Sequence, residues 1–109
     1  MAVPHLDDDA RRRALLAAGA SRRERAAWKS RLASGSAGLA DLLDIAGRSK
    51  AVAGMRVADA LGALPGVGPC GVERILEDCG IARTRRLRGL GERQREKLLA
   101  GTWGRRNDA

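Results

Sequence analysis

Two short stretches hold the residues with chemistry to offer. Leu64-Pro65-Gly66-Val67-Gly68-Pro69 is a tight glycine turn that leads into an amphipathic helix. Arg83-Thr84-Arg85-Arg86-Leu87-Arg88-Gly89-Leu90-Gly91 is an arginine cluster punctuated by glycines and two leucines. A helix N-terminus offers backbone N–H groups without intrahelical partners and a partial positive charge. Arginine adds a permanent charge on a flat fork of donors. Both devices suit phosphate oxygens. Leu87 and Leu90 can anchor the second stretch inward, which holds Arg85, Arg86 and Arg88 outward. Four arginines, Arg83 included, lie within six residues without an acid. That arrangement is self-repelling unless an anion answers it, so an anion contact outweighs a merely solvated face.

Other chemistries fit less well. Gly66-Val67-Gly68-Pro69-Cys70-Gly71 matches the dinucleotide-binding fingerprint only formally. That fingerprint must follow a strand within a βαβ unit, and residues 57–64 read as helix. A helix–hairpin–helix turn fits better, with the next helix aiming its N-terminus at a phosphate; a purely structural turn between helices is the simpler alternative. Pro65 presets a turn φ and gives the hairpin tip a stiff apolar edge, suited to a sugar or a base step or to turn formation alone. His5 is the only histidine, so the chain holds no histidine-based metal cluster or triad. No catalytic residue, metal site, cofactor or small-molecule substrate is indicated. Trp28 and Trp103 are the only aromatics, too few for a base-stacking platform. Cys70 and Cys79 lie on one expected helix, about 13 Å apart by rise alone. That exceeds disulfide reach, so they are expected to be small buried or half-buried thiols suited to a reducing cytosol.

The formal net charge is +8 over 109 residues, which points to an anionic partner. Residues 11–31 carry eight basic side chains against Glu24 alone, and residues 83–109 carry nine against three acids. The middle, residues 32–82, carries four basics and six acids. Two basic blocks thus flank a near-neutral core, which suggests two contact surfaces. Arg22, Arg23, Arg25 and Lys29 line the first block. No apolar run is long enough to span a bilayer, so a soluble chain is expected. No secretory signal is visible in the acidic start. Trp28 beside a basic run permits a membrane-surface reading, but the helix lacks the apolar face this needs.

These residues must be positioned by helices. Residues 7–32 read as one long helix, acidic at its start and rich in Ala, Arg and Leu. Its last third, with Trp28 and Leu32, is expected to pack while the rest protrudes. A second helix runs from near Ser36 to Gly47 on Leu39, Leu42, Leu43 and Ala46. Residues 48–55 read as a connecting turn. A third helix over 57–64 places Val57, Leu61 and Leu64 on one face. The next begins at Pro69, buries Val72, Ile75, Leu76 and Cys79, and stops at Gly80, with Ile81 folding back on Leu76. The last spans Glu92 to Ala100, anchored by Leu98 and Leu99, and residues 102–109 form a loose tail. No alternating strand pattern or internal repeat occurs, so the fold is all-helical. Residues 1–35 form a protruding arm and 36–101 the binding domain.

Gly54-Met55-Arg56-Val57, Leu64 to Gly68, the Ile75 to Ile81 helix end, Arg85 to Gly91 and Gln94 together resemble the actinobacterial integration host factor family. The resemblance covers roughly residues 20–101, and the arginine segment is its most specific part. It implies a monomeric, all-helical, nucleoid-associated protein with a long N-terminal helix and a helix–two-turns–helix module. It further implies low-specificity binding of double-stranded DNA through the backbone and minor groove, with effects on DNA shape, topology, compaction and phage integration. Carried over, Pro65, Gly66 and Gly68 of the hairpin and Arg85, Arg86 and Arg88 would be the principal DNA contacts; Val67, Arg74 and Gly89 beside them are expected to add to the same surface. Arg22, Arg23, Arg25 and Lys29 would form a second surface. The chain departs from the family pattern at Pro69, Gly71 and Glu73, where basic residues are common. Arg74 replaces some of that charge, and weight shifts to Arg85, Arg86 and Arg88. The departure suits a divergent paralogue as well as a main member.

Architectural DNA binding is therefore the expected function. An RNA- or ribosome-binding module is the alternative, since the same turns and arginines fit an A-form backbone. A DNA glycosylase fragment would need a nucleophilic amine and an acidic partner, which the chain does not supply. A protein adaptor using the acidic middle segment is weaker still.

Overall fold

Leu32, Leu42, Leu61, Leu98, Val52 and Val57 are the largest side chains removed completely from solvent, and they come from five different helices. The computed structural model describes residues 4–101, with side chains described from Asp8 onward. The expected loose tail, with Trp103, Arg105 and Arg106, lies outside the described residues. The helices are α1 (Pro4–Ser34), α2 (Leu39–Ala46), α3 (Lys50–Ala53), α4 (Val57–Ala63), α5 (Gly68–Cys79) and α6 (Glu92–Ala100), with a single 3-10 turn over Leu87–Gly89. The architecture is all-helical, as the apolar periodicity requires.

Helix α1 has 31 residues and is about 46 Å long at 1.5 Å per residue, which accounts for a molecule 65 Å long and 26 × 24 Å across. Only its C-terminal part packs. Leu32 is 1% exposed and Trp28 rests against the core, whereas Leu15 and Leu16 are 66% and 67% exposed. Helices α3 and α4 pack beside it, and α4 pairs with α5.

Local signals set most boundaries. Helix α2 starts at Leu39, where the Asp41 carboxylate accepts from the Gly38 N–H at 2.9 Å. Gly80 ends α5 at φ 66, a left-handed conformation that glycine adopts without steric cost. Its N–H donates to Glu77 O, and the Ile81 N–H donates to Leu76 O at 2.8 Å. That closes the helix and buries Ile81.

Three expectations are corrected. Residues 48–55 contain helix α3, capped by the Ser49 hydroxyl, which accepts from the Val52 N–H at 3.2 Å. Leu99 does not anchor α6. It is 44% exposed because it sits about 100° around the helix from Leu98, and only one of the two can face the core. Cys70 is exposed in the first turn of α5, and only Cys79 is buried. Burial raises the Cys79 thiol pKa, Lys97 lowers it and Asp78 adds a smaller rise.

Candidate nucleic-acid interface

The arginine segment is fixed by backbone before its side chains are considered. The Val57 N–H donates to Arg85 O and the Leu87 N–H to Met55 O, both at 2.9 Å. This isolated antiparallel bridge pairs Arg56 with Arg86 and ties the segment to the α3–α4 junction. Leu87 is 5% exposed and Leu90 packs partly on the core, so the leucines act as inward anchors. Arg85, Arg86 and Arg88 point to solvent between them.

The guanidiniums are then braced locally. Arg85 Nη1 donates to Gly89 O at 2.8 Å, and Arg86 Nη1 donates to Gly54 O at 2.5 Å. A β-carbon at Gly54 would lie 3.4 Å from Arg88 Nη1, so the glycine admits two arginines beside its backbone. Each brace uses one of five N–H donors and leaves the rest of the fork outward. Arg83 behaves differently. Its guanidinium pairs with the Glu73 carboxylate of α5. The cluster without an acid in sequence thus acquires one in space, and three arginines remain unpaired with any carboxylate among the described residues.

A groove of about 510 Å³ opens between α1 and this segment. Arg25 and Lys29 from α1, Lys50 from α3, Arg56 at the head of α4, and Arg86 and Arg88 line it, with Asp59 as the single carboxylate. Six cations and one anion leave a local charge of +5. Arg25 Nη1 also donates to Ala51 O at 3.4 Å. A shallower depression of about 330 Å³ lies on the other side of the segment, lined by Thr84, Arg85, Arg86, Arg88 and Gly89. Arg86 and Arg88 form the wall between the two.

The two basic blocks of the sequence therefore meet in part. Arg25 and Lys29 share one groove with Arg86 and Arg88, while Arg22 and Arg23 are exposed beyond its lining. Lys50 and Arg56, which sequence reasoning did not single out, belong to it. The signal available for them was Gly54 between the two, a glycine needed for close approach.

The hairpin stands apart and lines neither depression. Gly66 and Gly68 take φ values of 78 and 67, which favours glycine at both. Pro65, Gly66 and Gly68 are exposed, Val67 is half-buried, and a β-carbon at Gly68 would meet nothing within 4 Å. The turn backbone is thus open to approach. Pro69, at the start of α5, supplies no N–H there. Asp59 and Glu73 share a neighbouring depression with Pro69 and Arg83, which weakens the anion attraction of that helix start. Arg74 is exposed on α5 and joins neither depression. Trp28 carries the Arg31 guanidinium 4.8 Å above its ring, a cation–π contact that occupies its open face. No described helix is long and apolar enough to cross a membrane.

Comparison with known proteins agrees with this fold. Residues 32–101 match the family model of the S13-like H2TH domain. The chain is 46% identical over 99 residues to the integration host factors of Mycobacterium tuberculosis and Mycolicibacterium smegmatis, covering 91% of this chain and 94% of each relative. It is 40% identical over 94 residues to that of Streptomyces coelicolor, covering 86% of this chain and 88% of the relative. A solved structure of sIHF bound to an 8-base-pair palindromic DNA superposes with a TM-score of 0.74 at 38% identity, covering 76% of this chain and 93% of that one. A helical scaffold with an H2TH domain, a bridged arginine segment and relatives at this level of identity places the chain in the actinobacterial integration host factor family.

Proposed function

We propose that this chain is a non-enzymatic, nucleoid-associated protein that binds double-stranded DNA with low sequence specificity and alters its shape. One observation carries the reading: six cations from four separate segments converge on one groove against a single carboxylate. Guanidinium and ammonium groups at several points along a groove match the repeated charge of a phosphate backbone. Contacts of that kind position a protein without reading sequence. The sIHF relative bound to duplex DNA supports the same partner.

In this reading Arg85, Arg86 and Arg88 are the principal contacts, with Gly89 leaving room for the Arg85 side chain, which a β-carbon there would meet at 3.1 Å. Arg25, Lys29, Lys50 and Arg56 extend the surface onto α1 and the α3–α4 junction. The exposed hairpin of Pro65, Gly66, Val67 and Gly68 supplies a separate contact that suits the minor groove, with Arg74 adding charge nearby on α5. Residues 1–35 serve as an arm and 36–101 as the DNA-binding domain. Two contact regions on one small protein favour bending or bridging of the duplex and, through that, altered topology.

A gel-shift series across salt tests this directly, with duplex DNA, single-stranded DNA and structured RNA as competitors. We expect duplex to compete best, with little dependence on sequence. Preferential displacement by RNA would replace the reading with an RNA-binding one.

A further inference from the structure

The groove between α1 and the arginine segment has a floor as well as a rim. Ser21, Arg25 and Gly54 are half-buried in it beside the buried Ala51 and Met55. Lys29, Lys50, Arg56, Arg86 and Arg88 are exposed and form the rim. Arg25 is braced at the floor, its Nη1 donating to Ala51 O, which leaves four of its five N–H donors for a ligand. The Ser21 hydroxyl makes no hydrogen bond among the described residues, and neither do the side chains of Lys29, Lys50, Arg56 and Arg88. The α1 wall from Ser21 to Lys29 is about 12 Å long. The groove's volume of about 510 Å³ is that of a small-ligand site, typically about 300 to 1,000 Å³. Cations lining a concave site focus their field on its interior. A duplex is stiff over such a distance and meets the groove at its rim. A short, flexible chain of phosphates can enter and touch rim and floor together.

We propose that this groove also binds a small linear polyphosphate, free or as the tail of a nucleotide, in competition with DNA. Arg25 takes one end of the chain at the floor, and the Ser21 hydroxyl donates to the same phosphate. Lys29 reaches it from the α1 wall, and Arg56, Arg86 and Arg88 from the facing side. Guanidinium forks suit this task because each can hold two phosphate oxygens at once. Asp59 is where the positive lining ends, at the boundary with the depression beside Pro69. Arg85 lies outside the groove, in the depression across the wall, and takes no part. A filled groove withdraws Arg86 and Arg88 from DNA and leaves Arg85 and the hairpin free. Displacement of DNA rests on the interface proposed above; binding of the polyphosphate does not.

Isothermal titration calorimetry with inorganic triphosphate, at fixed salt and without divalent cations, tests the site. We expect one saturable site per chain, with orthophosphate weaker by about tenfold or more. ATP that binds as tightly as triphosphate assigns recognition to the phosphate chain; tighter ATP binding assigns the ligand to a nucleotide. Arg25→Gln should weaken triphosphate by about tenfold or more. Ser21→Leu fills the floor without changing the charge, so it should weaken triphosphate and leave duplex affinity and its salt slope unchanged. Arg85→Ala should weaken duplex binding and leave triphosphate binding unchanged. Circular dichroism checks that each variant is folded. No saturable triphosphate binding by the wild type overturns the proposal. So does a loss in Arg85→Ala equal to that in Arg25→Gln, the mark of a diffuse cation cloud. Failure of the DNA interface looks different: triphosphate binds the wild type, but it does not displace a labelled duplex and Arg85→Ala binds duplex normally.

Discussion

The salt dependence of DNA affinity can be worked from the groove. If the six cations of its lining each neutralise one phosphate, log affinity should fall with log salt at a slope of about −5. Between 50 and 200 mM salt that is a loss of about 10³-fold. Replacing Arg85, Arg86 and Arg88 with Ala removes two groove cations and one on the neighbouring wall. The slope should then become shallower by about 2 to 3, and the same salt change should cost only about 16- to 64-fold. Affinity at low salt should drop equally on duplexes of unrelated sequence. The variant should stay folded, because the three side chains are exposed and the only bonds lost are those to the Gly89 and Gly54 carbonyls, each worth about 1 kcal/mol. Fluorescence anisotropy with a labelled duplex at five salt concentrations measures the slope, and thermal melting checks the fold. A slope that does not change in the folded triple variant would refute the assignment of these arginines to phosphate.

Three further predictions follow from the packing. Leu61→Ala removes a side chain with no solvent exposure and should destabilise the domain by about 3–5 kcal/mol in urea unfolding, whereas Leu15→Ala should leave stability nearly unchanged. Gly80→Ala puts a β-carbon on a residue at φ 66 in open space, so its cost of about 1–2 kcal/mol is conformational alone; thermal melting should register it. Cys79 has a raised thiol pKa from burial, so folding favours its neutral form. That contribution is present below the unfolded thiol value of about 8.5 and is lost as pH rises through the higher folded value. Alkaline melting curves should show this, Cys79→Ala should flatten it, and a disulfide reagent at neutral pH should label the exposed Cys70 first.

Much of this architecture is legible in the chain itself. Helices α5 and α6 carry their own stops, the left-handed Gly80 and the terminal Gly101, and Val72, Ile75, Leu76 and Cys79 spell one buried stripe. Helix α3 is not legible, because four residues span little more than one turn and give no period. Its cap, Ser49, is the local sign. The arginine segment was readable as a cluster anchored by leucines, but its partners were not. Lys50 and Arg56 sit singly in a near-neutral stretch, and a count of charge along the chain passes over them. Only the backbone bridge between Arg56 and Arg86 brings them to the groove. Glu73 likewise reaches Arg83 only once α5 has turned back. Charge that converges from distant segments is a property of the fold, and no local window contains it.

On the proposed interface, α1 and the arginine segment present one surface to DNA. The chain has three lysines, Lys29, Lys50 and Lys97. Two line the groove and the third lies on α6 outside it. Brief acetylation with and without a saturating short duplex, read by mass spectrometry, reports all three at once. We expect Lys29 and Lys50 to be protected together while Lys97 reacts as in the free protein. Protection of Lys97 with Lys29 and Lys50 left reactive would contradict it.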